Sequence, residues 1–230
     1  NDVILKGYLY EPTTEAKGII QICHGMAEHI GRYDNFMNFL CDNGYIVVGY
    51  DQRGHGMTAG SVENCGYMSD SDNIEVLVED VHKVVEHIKN AYPEKNIYLF
   101  GHSMGSFVSQ RYVELYNNEI SGLILSGSSY NDGLIIKLGN ILASMITKSK
   151  GRKHISHFIN NLSLGSYNKK FKPAKTSVDW LSRDNENNVK YELVYDYSST
   201  IKKDDIIKCS HKQGDLIKES DTVIITISKG

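Results

Sequence analysis

The residues best placed to do chemistry are Gly101-His102-Ser103-Met104-Gly105, a G-x-S-x-G pattern. They fall between a strand-like run, Asn96-Ile97-Tyr98-Leu99-Phe100, and a helical pattern from Ser103 to Tyr116. A strand-to-helix turn this sharp leaves no room for side chains at its flanks, so glycines bracket a serine whose hydroxyl is presented at a helix N-terminus. Developing negative charge is favoured there. The chemistry this suits is acyl transfer, with Ser103 as the expected nucleophile. Attack on a carbonyl creates an oxyanion, and each preorganised N–H donor aimed at it lowers the barrier by about 2.7 to 4 kcal/mol. The amide of Met104, next after the nucleophile, is one expected donor. The other is the amide of Met26, in His24-Gly25-Met26 after an earlier strand, with His24, Gly25 and His102 expected near the site.

Positioning these residues requires alternating strands and helices. Ile4 to Tyr10 alternates, Gly18 to Cys23 is a short apolar run ending at His24-Gly25, and Tyr45 to Tyr50 is apolar enough for a strand buried on both faces. Between the last two, Tyr33, Phe36, Phe39 and Leu40 recur at helical spacing up to Asn43-Gly44. Ile74 to Ile88 sets Leu77, Val81, Val84, Val85 and Ile88 on one helical face, and Pro93 bars its continuation. Gly122 to Ser126 follows as a further strand. The expected class is α/β, a mostly parallel sheet flanked by helices. After that the pattern turns helical, with Leu134 to Ile146, Ile155 to Leu162 and an amphipathic turn at Val178 to Leu181. The expected organisation is a core over 1–130, a helical cap over 131–195 and a return to the core over 196–230. Tyr191 to Asp221 reads as polar and irregular, and Thr222 to Ser228 as a core strand.

Composition narrows the function. The chain has 230 residues, with Lys+Arg 25 against Asp+Glu 28 and a formal net charge of -3. Without a basic excess the electrostatic drive for nucleic-acid binding is missing, and nucleic acid is not an expected partner. No apolar run approaches the roughly 18 residues of a membrane span, so stable membrane insertion is not expected. Cys23, Cys41, Cys65 and Cys209 form no CxxC pair, and read as reduced, mostly buried thiols of a cytoplasmic protein. His82 with His87, and His154 with His157, lack accompanying carboxylates at useful spacing, so no metal is expected. The pattern holds no nucleotide fingerprint, and no cofactor is expected. Lys148-Ser149-Lys150-Gly151-Arg152-Lys153-His154 reads as a solvated loop.

Three motifs taken together carry a family resemblance. Ile22-Cys23-His24-Gly25-Met26-Ala27-Glu28-His29 with Arg32-Tyr33, then Asp51-Gln52-Arg53-Gly54-His55-Gly56, then Gly101 to Ser106 occur in an order and spacing that resembles the monoacylglycerol lipase and lysophospholipase group of α/β-hydrolases, also classed as serine aminopeptidase S33. The likeness runs from about Ile4 to Tyr191 and includes Asp179-Trp180-Leu181-Ser182-Arg183-Asp184. It implies an α/β-hydrolase fold with a helical cap, Ser103 as nucleophile, Met26 and Met104 as oxyanion donors, and a small acyl ester or lipid-like substrate. Asp51, Arg53 and His55 then belong to a structural loop.

In this fold the acid and the histidine follow the serine in chain order. The resemblance puts the acid just after a strand like Thr222 to Ser228, so neither acid nor base is expected within the 230 residues, and the chain reads as cut at both ends. Asp196, Asp204 and Asp205 with His211 satisfy the order but read as solvated loop groups. A strand ending there is also expected to leave an unpaired apolar edge at Ile224 to Ile227. Competing readings are an aminopeptidase or acyltransferase on the same fold, and a hydrolase-like binding protein without catalysis.

Overall fold

The computed structural model describes residues 3–71, 73–129, 133–159, Phe171 and Pro173, together with strands at 190–196, 206–209 and 222–228; these three strands and 134–137 are described as backbone. Val178 to Leu181, Asp184, Asp204, Asp205 and His211 lie outside the described residues. The chain divides into two compact units, residues 1–155 and 156–230.

In the first unit, β1 (Gly7–Tyr10), β2 (Gly18–Cys23), β3 (Tyr45–Tyr50), β4 (Ile97–His102) and β5 (Gly122–Ser126) form a sheet in the order β1-β3-β2-β4-β5. β1 runs antiparallel to β3 and the other pairings are parallel, the mostly parallel sheet the sequence predicts. β2 lies at the centre and all six of its residues are buried, which is why its isoleucines occur on both faces rather than in strict alternation with exposed polar residues. Its side chains alternate between two cores. Ile19 and Cys23 pack with α3 (Glu75–Ala91) and α4 (Met104–Tyr116), against Leu77, Val81, Val85, Val108 and Tyr112. Ile20 and Ile22 face Ile30, Met37 and the partly buried Phe36 and Leu40 of α1 (Asp34–Asp42).

The α1 stripe differs from the sequence expectation at one position. Phe39 is 60 % exposed and Met37 is fully buried, because the inward face runs through Phe36, Met37 and Leu40. The thiols differ too: Cys23 is buried, Cys41 is half-buried and Cys65 is exposed. Burial pushes the Cys23 thiol up to about 12, so it stays protonated and inert.

After β3 the chain makes a polar loop through Asp51 to Gly56 and a short helix, α2 (Gly56–Ala59). The loop is pinned from inside. Arg53 donates through Nε to Asp80 Oδ2 at 2.6 Å and through a terminal nitrogen to Asp80 Oδ1 at 2.9 Å, tying it to α3. Asp51 accepts from the Ile30 amide and the Met57 amide, both at 2.7 Å. Helix α5 (Leu134–Lys150) extends the expected helix by a turn and leaves Leu138, Ile141 and Met145 exposed. Among the described residues no helix is long and apolar enough to cross a membrane.

In the second unit, β6 (Lys190–Asp196), β7 (Ile206–Cys209) and β8 (Thr222–Ser228) form a separate sheet in the order β6-β8-β7. Two expectations are corrected here. The stretch from Tyr191 to Asp221 is not wholly irregular, since Tyr191, Val194 and Tyr195 supply β-forming residues within β6 and Ile206-Ile207 opens β7. Ile224 to Ile227 is no unpaired edge: β8 pairs with β6 in parallel and with β7 antiparallel.

Asp80 and Arg53 are both nearly excluded from water, so removing the Asp80 carboxylate takes two charge-assisted hydrogen bonds from a buried guanidinium. Asp80→Ala is expected to lower unfolding stability by about 3 kcal/mol, read from urea unfolding midpoints. A loss below about 1 kcal/mol would show the pair to be no more than a surface-type contact.

Candidate active site

The strand order reverses direction around β2. From β2 the chain passes to β3 on one side, and from β4 to β5 on the other, so the two connections leave in opposite directions and their carboxyl ends form the switch point at which open α/β sheets have their ligand crevice. Register brings those ends level. Cys23 lies opposite Gly101, which sets the chain leaving β2 as His24-Gly25 beside the chain leaving β4 as His102-Ser103.

Ser103 forms the N-cap of α4 with φ 50 and ψ −116, a left-handed backbone that costs a non-glycine residue about 1 to 3 kcal/mol. It is held there from both sides. Its amide donates to the Ser126 carbonyl on β5 at 2.9 Å, and its carbonyl accepts from the Ser106 amide at 2.9 Å and the Ser106 hydroxyl at 2.6 Å. The flanking glycines serve close approach. A Cβ on Gly101 would come within 2.6 Å of the Gly105 carbonyl oxygen, and one on Gly105 within 2.6 Å of the His24 carbonyl oxygen. Thus α4 begins directly against the end of β2. A Cβ on Gly25 would lie 3.2 Å from Ser103 Cβ and 3.3 Å from the His102 ring. The structure therefore brings Gly25, His102 and Ser103 together.

Met26 is 53 % exposed and Met104 is buried. Neither backbone amide has an acceptor among the described residues, whereas the amides of Gly25, Ala27 and Ser106 all do. The Met104 amide is one of the orphan donors at the start of α4. Two N–H groups without an acceptor among the described residues thus belong to the loops on either side of Ser103, a donor set suited to an anionic oxygen.

The nearby histidines are occupied. His24 is fully buried; Nδ1 donates to the Gly25 carbonyl at 2.7 Å, which leaves Nε2 to accept from the Gln52 amide at 2.9 Å. Gln52 also donates through its side-chain amide to the His24 carbonyl at 2.5 Å. His55 follows the same logic, with Nδ1 donating to the Arg53 carbonyl at 2.9 Å and Nε2 accepting from the Ala27 amide at 3.2 Å. His102 directs Nδ1 to the Ser126 hydroxyl at 3.1 Å and meets Tyr33 edge-on. None of these rings is bonded to the Ser103 hydroxyl. His82 and His87 lie on α3, where His82 bonds Glu119 at 2.9 Å; among the described residues no cluster of His, Cys, Asp and Glu could hold a metal.

Sequence reasoning passed over Glu28 as a functional residue. Its side chain is 6 % exposed and accepts from the Gly25 amide, from Tyr33 at 2.8 Å and from Arg32 at 2.7 Å. The available signal was a carboxylate three residues after a turn glycine, the spacing that returns a side chain to a backbone amide.

The strand order, the crevice and the strand-turn-helix at Ser103 define an α/β-hydrolase. A solved structure with the same fold is a thermostable carboxyl esterase from Bacillus coagulans, 31 % identical with a TM-score of 0.69, aligned over 80 % of this chain and 58 % of that one. The model of the serine aminopeptidase S33 family matches residues 14–204, and the chain belongs to that family. Curated relatives include monoglyceride lipase of Mus musculus, 30 % identical over 156 residues, which are 68 % of this chain and 47 % of the relative. Another is a probable lysophospholipase L2 of Haemophilus influenzae, 25 % identical over 192 residues, 79 % of this chain and 58 % of the relative. The chain spans about half the length of these curated relatives.

Burial pulls the His24 imidazole below its ordinary 6.5; the bond to the Gly25 carbonyl opposes this, His55 reinforces it, and Glu28 and Asp51 oppose it. The unfolded chain then takes up a proton at His24 at a pH where the folded protein does not. His24's contribution is complete above 6.5 and declines as pH falls below it toward the folded value. The urea midpoint is expected to drop between about pH 7.5 and about pH 5.5, and His24→Gln to flatten that drop. Equal slopes in the two proteins would place the titration elsewhere.

Proposed function

We propose that the intact protein hydrolyses carboxylic esters through an acyl-enzyme on Ser103. The observation that supports this reading is the strained Ser103 turn at the β2/β4 switch point, together with the Met26 and Met104 amides of the adjoining loops, neither of which has an acceptor among the described residues. Ser103 Oγ attacks the ester carbonyl carbon as a base removes its proton. The carbonyl oxygen becomes the oxyanion received by the two amides. Collapse breaks the bond to the leaving alkoxide, which takes the proton, and water repeats the sequence to release the acid.

His24 and His55 are engaged at both nitrogens and His102 is bonded to Ser126, so the base and its orienting acid are assigned to none of the described residues. The substrate class we favour is a monoacylglycerol or a lysophospholipid, as the names of the lipase and lysophospholipase relatives suggest. Ester rather than peptide chemistry is favoured because those relatives and the esterase of matching fold are all named for ester hydrolysis.

A fluorophosphonate probe applied to the intact protein is expected to label one site, and Ser103→Ala to abolish both labelling and hydrolysis of p-nitrophenyl esters. Labelling that survives Ser103→Ala, or faster turnover of aminoacyl amides than of esters, would refute this reading.

A further inference from the structure

The loop after β2 carries three consecutive amides whose fates differ. The Gly25 N–H donates to Glu28 Oε1 and the Ala27 N–H donates to His55 Nε2 at 3.2 Å. The Met26 N–H between them has no acceptor among the described residues. Ala27 adopts φ 60, one of two positive-φ non-glycine residues among those described, the other being Ser103. A left-handed alanine persists only where its surroundings over-determine it. Here the anchors on either side of Met26 do so.

Both anchors are themselves fixed. Glu28 Oε1 also accepts from the Tyr33 hydroxyl at 2.8 Å, while Oε2 accepts from Arg32 at 2.7 Å. Tyr33 is held as the neutral phenol, since burial and the adjoining Glu28 carboxylate push its ionisation well up. The His55 ring is oriented by its bond to the Arg53 carbonyl at 2.9 Å, and Arg53 is locked to the buried Asp80. The order of support runs from Asp80 through Arg53 and His55 to Ala27 on one side, and from Arg32 and Tyr33 through Glu28 to Gly25 on the other.

We propose that Glu28 and His55 are positioning residues that aim the Met26 amide at the oxyanion formed at Ser103, by holding the amides on either side of it. The inference rests on the acyl-enzyme reading above and deepens it. An N–H donor that is misaimed by about 1 Å contributes little to a transition state, yet binding of the ground-state ester scarcely depends on it. The signature is therefore a loss in kcat with KM retained.

The test uses the intact protein, p-nitrophenyl butyrate as ester and an alkyl boronic acid as a mimic of the tetrahedral oxyanion. His55→Phe removes the acceptor, and His55→Gln places an amide oxygen close to the lost Nε2. His55→Phe is expected to lose about 10²-fold in kcat with KM changed by less than about threefold, and boronic acid affinity falling in step. His55→Gln is expected to recover most of the loss. Glu28→Leu against Glu28→Gln gives the same comparison through Gly25, whether or not His55→Phe folds. Losses shared equally by KM, losses that the Gln variants fail to recover, or unchanged kcat in the Phe and Leu variants overturn the positioning role. Activity undiminished in Ser103→Ala overturns the acyl-enzyme reading itself, whereas Ser103-dependent activity indifferent to His55→Phe and Glu28→Leu overturns only the positioning role.

Discussion

The backbone of Gly105 rests against the end of β2, against the carbonyl of Cys23 first and then that of His24, and the site depends on that approach. A side chain at Gly105 would have to occupy the space of main-chain atoms, which cannot move aside as a flexible side chain can. With the approach made, the first turn of α4 abuts the end of β2, and its orphan amides open onto the loop that leaves that strand. Ser103 must then turn from β4 into α4 within one residue, which forces its positive φ. The strain is met by the hydrogen bond to Ser126 on β5 and by Ser106 within the helix. The local geometry of the candidate nucleophile is thus a consequence of how closely a helix and a strand are packed.

Around this contact the polar groups form a buried scaffold. Asp51, Arg53, Asp80, His24, His55 and Gln52 are all at most 9 % exposed. Burying so many polar side chains is tolerated only when most of their hydrogen-bonding groups find partners; these are largely loop amides and carbonyls, and Gln52 Oε1 is the one side-chain oxygen of the six without a partner among the described residues. The scaffold therefore takes the place that secondary structure has elsewhere in the sheet: it satisfies the backbone of segments that are neither helix nor strand. This accounts for a polar loop at the heart of an otherwise apolar core, and for two of its histidines serving to bond the loop's backbone.

Much of this was legible because the relevant signals are local. The β-branched runs at Gly18 to Cys23 and Tyr45 to Tyr50, and the glycines around Ser103, each reflect a constraint acting within a few residues. What escaped notice depends on residues distant in sequence. Glu28 looks like any loop carboxylate until Tyr33 and Arg32 fold over it, and the Arg53 and Asp80 pair spans 27 positions. The pairing of Ile224 to Ile227 on both sides was likewise invisible, because β6 and β7 lie in a stretch whose lysines and aspartates mask short runs such as Ile206-Ile207. At Phe39 the reason is simpler: helical spacing marks a stripe through Tyr33, Phe36, Phe39 and Leu40 but does not fix its margins, and the buried face takes in Met37 while Phe39 falls outside it.

The same network that readies one half of the chemistry keeps these histidines out of the other half. An imidazole that accepts from a backbone amide at one nitrogen and donates to a carbonyl at the other can neither take a proton from Ser103 nor swing toward it without abandoning the loop it supports. His24 and His55 are committed in this way, and burial disfavours the charged form of His24 still further. Oxyanion stabilisation calls for donors that do not reorganise, and the amides proposed for that task belong to the junction of strands and helix. Proton transfer calls for a ring with a free nitrogen facing the serine, which a histidine serving as backbone glue cannot offer. The proposed mechanism thus separates the two tasks, assigning the electrophilic half to the β2 and β4 loops and the proton-transfer half to residues outside them.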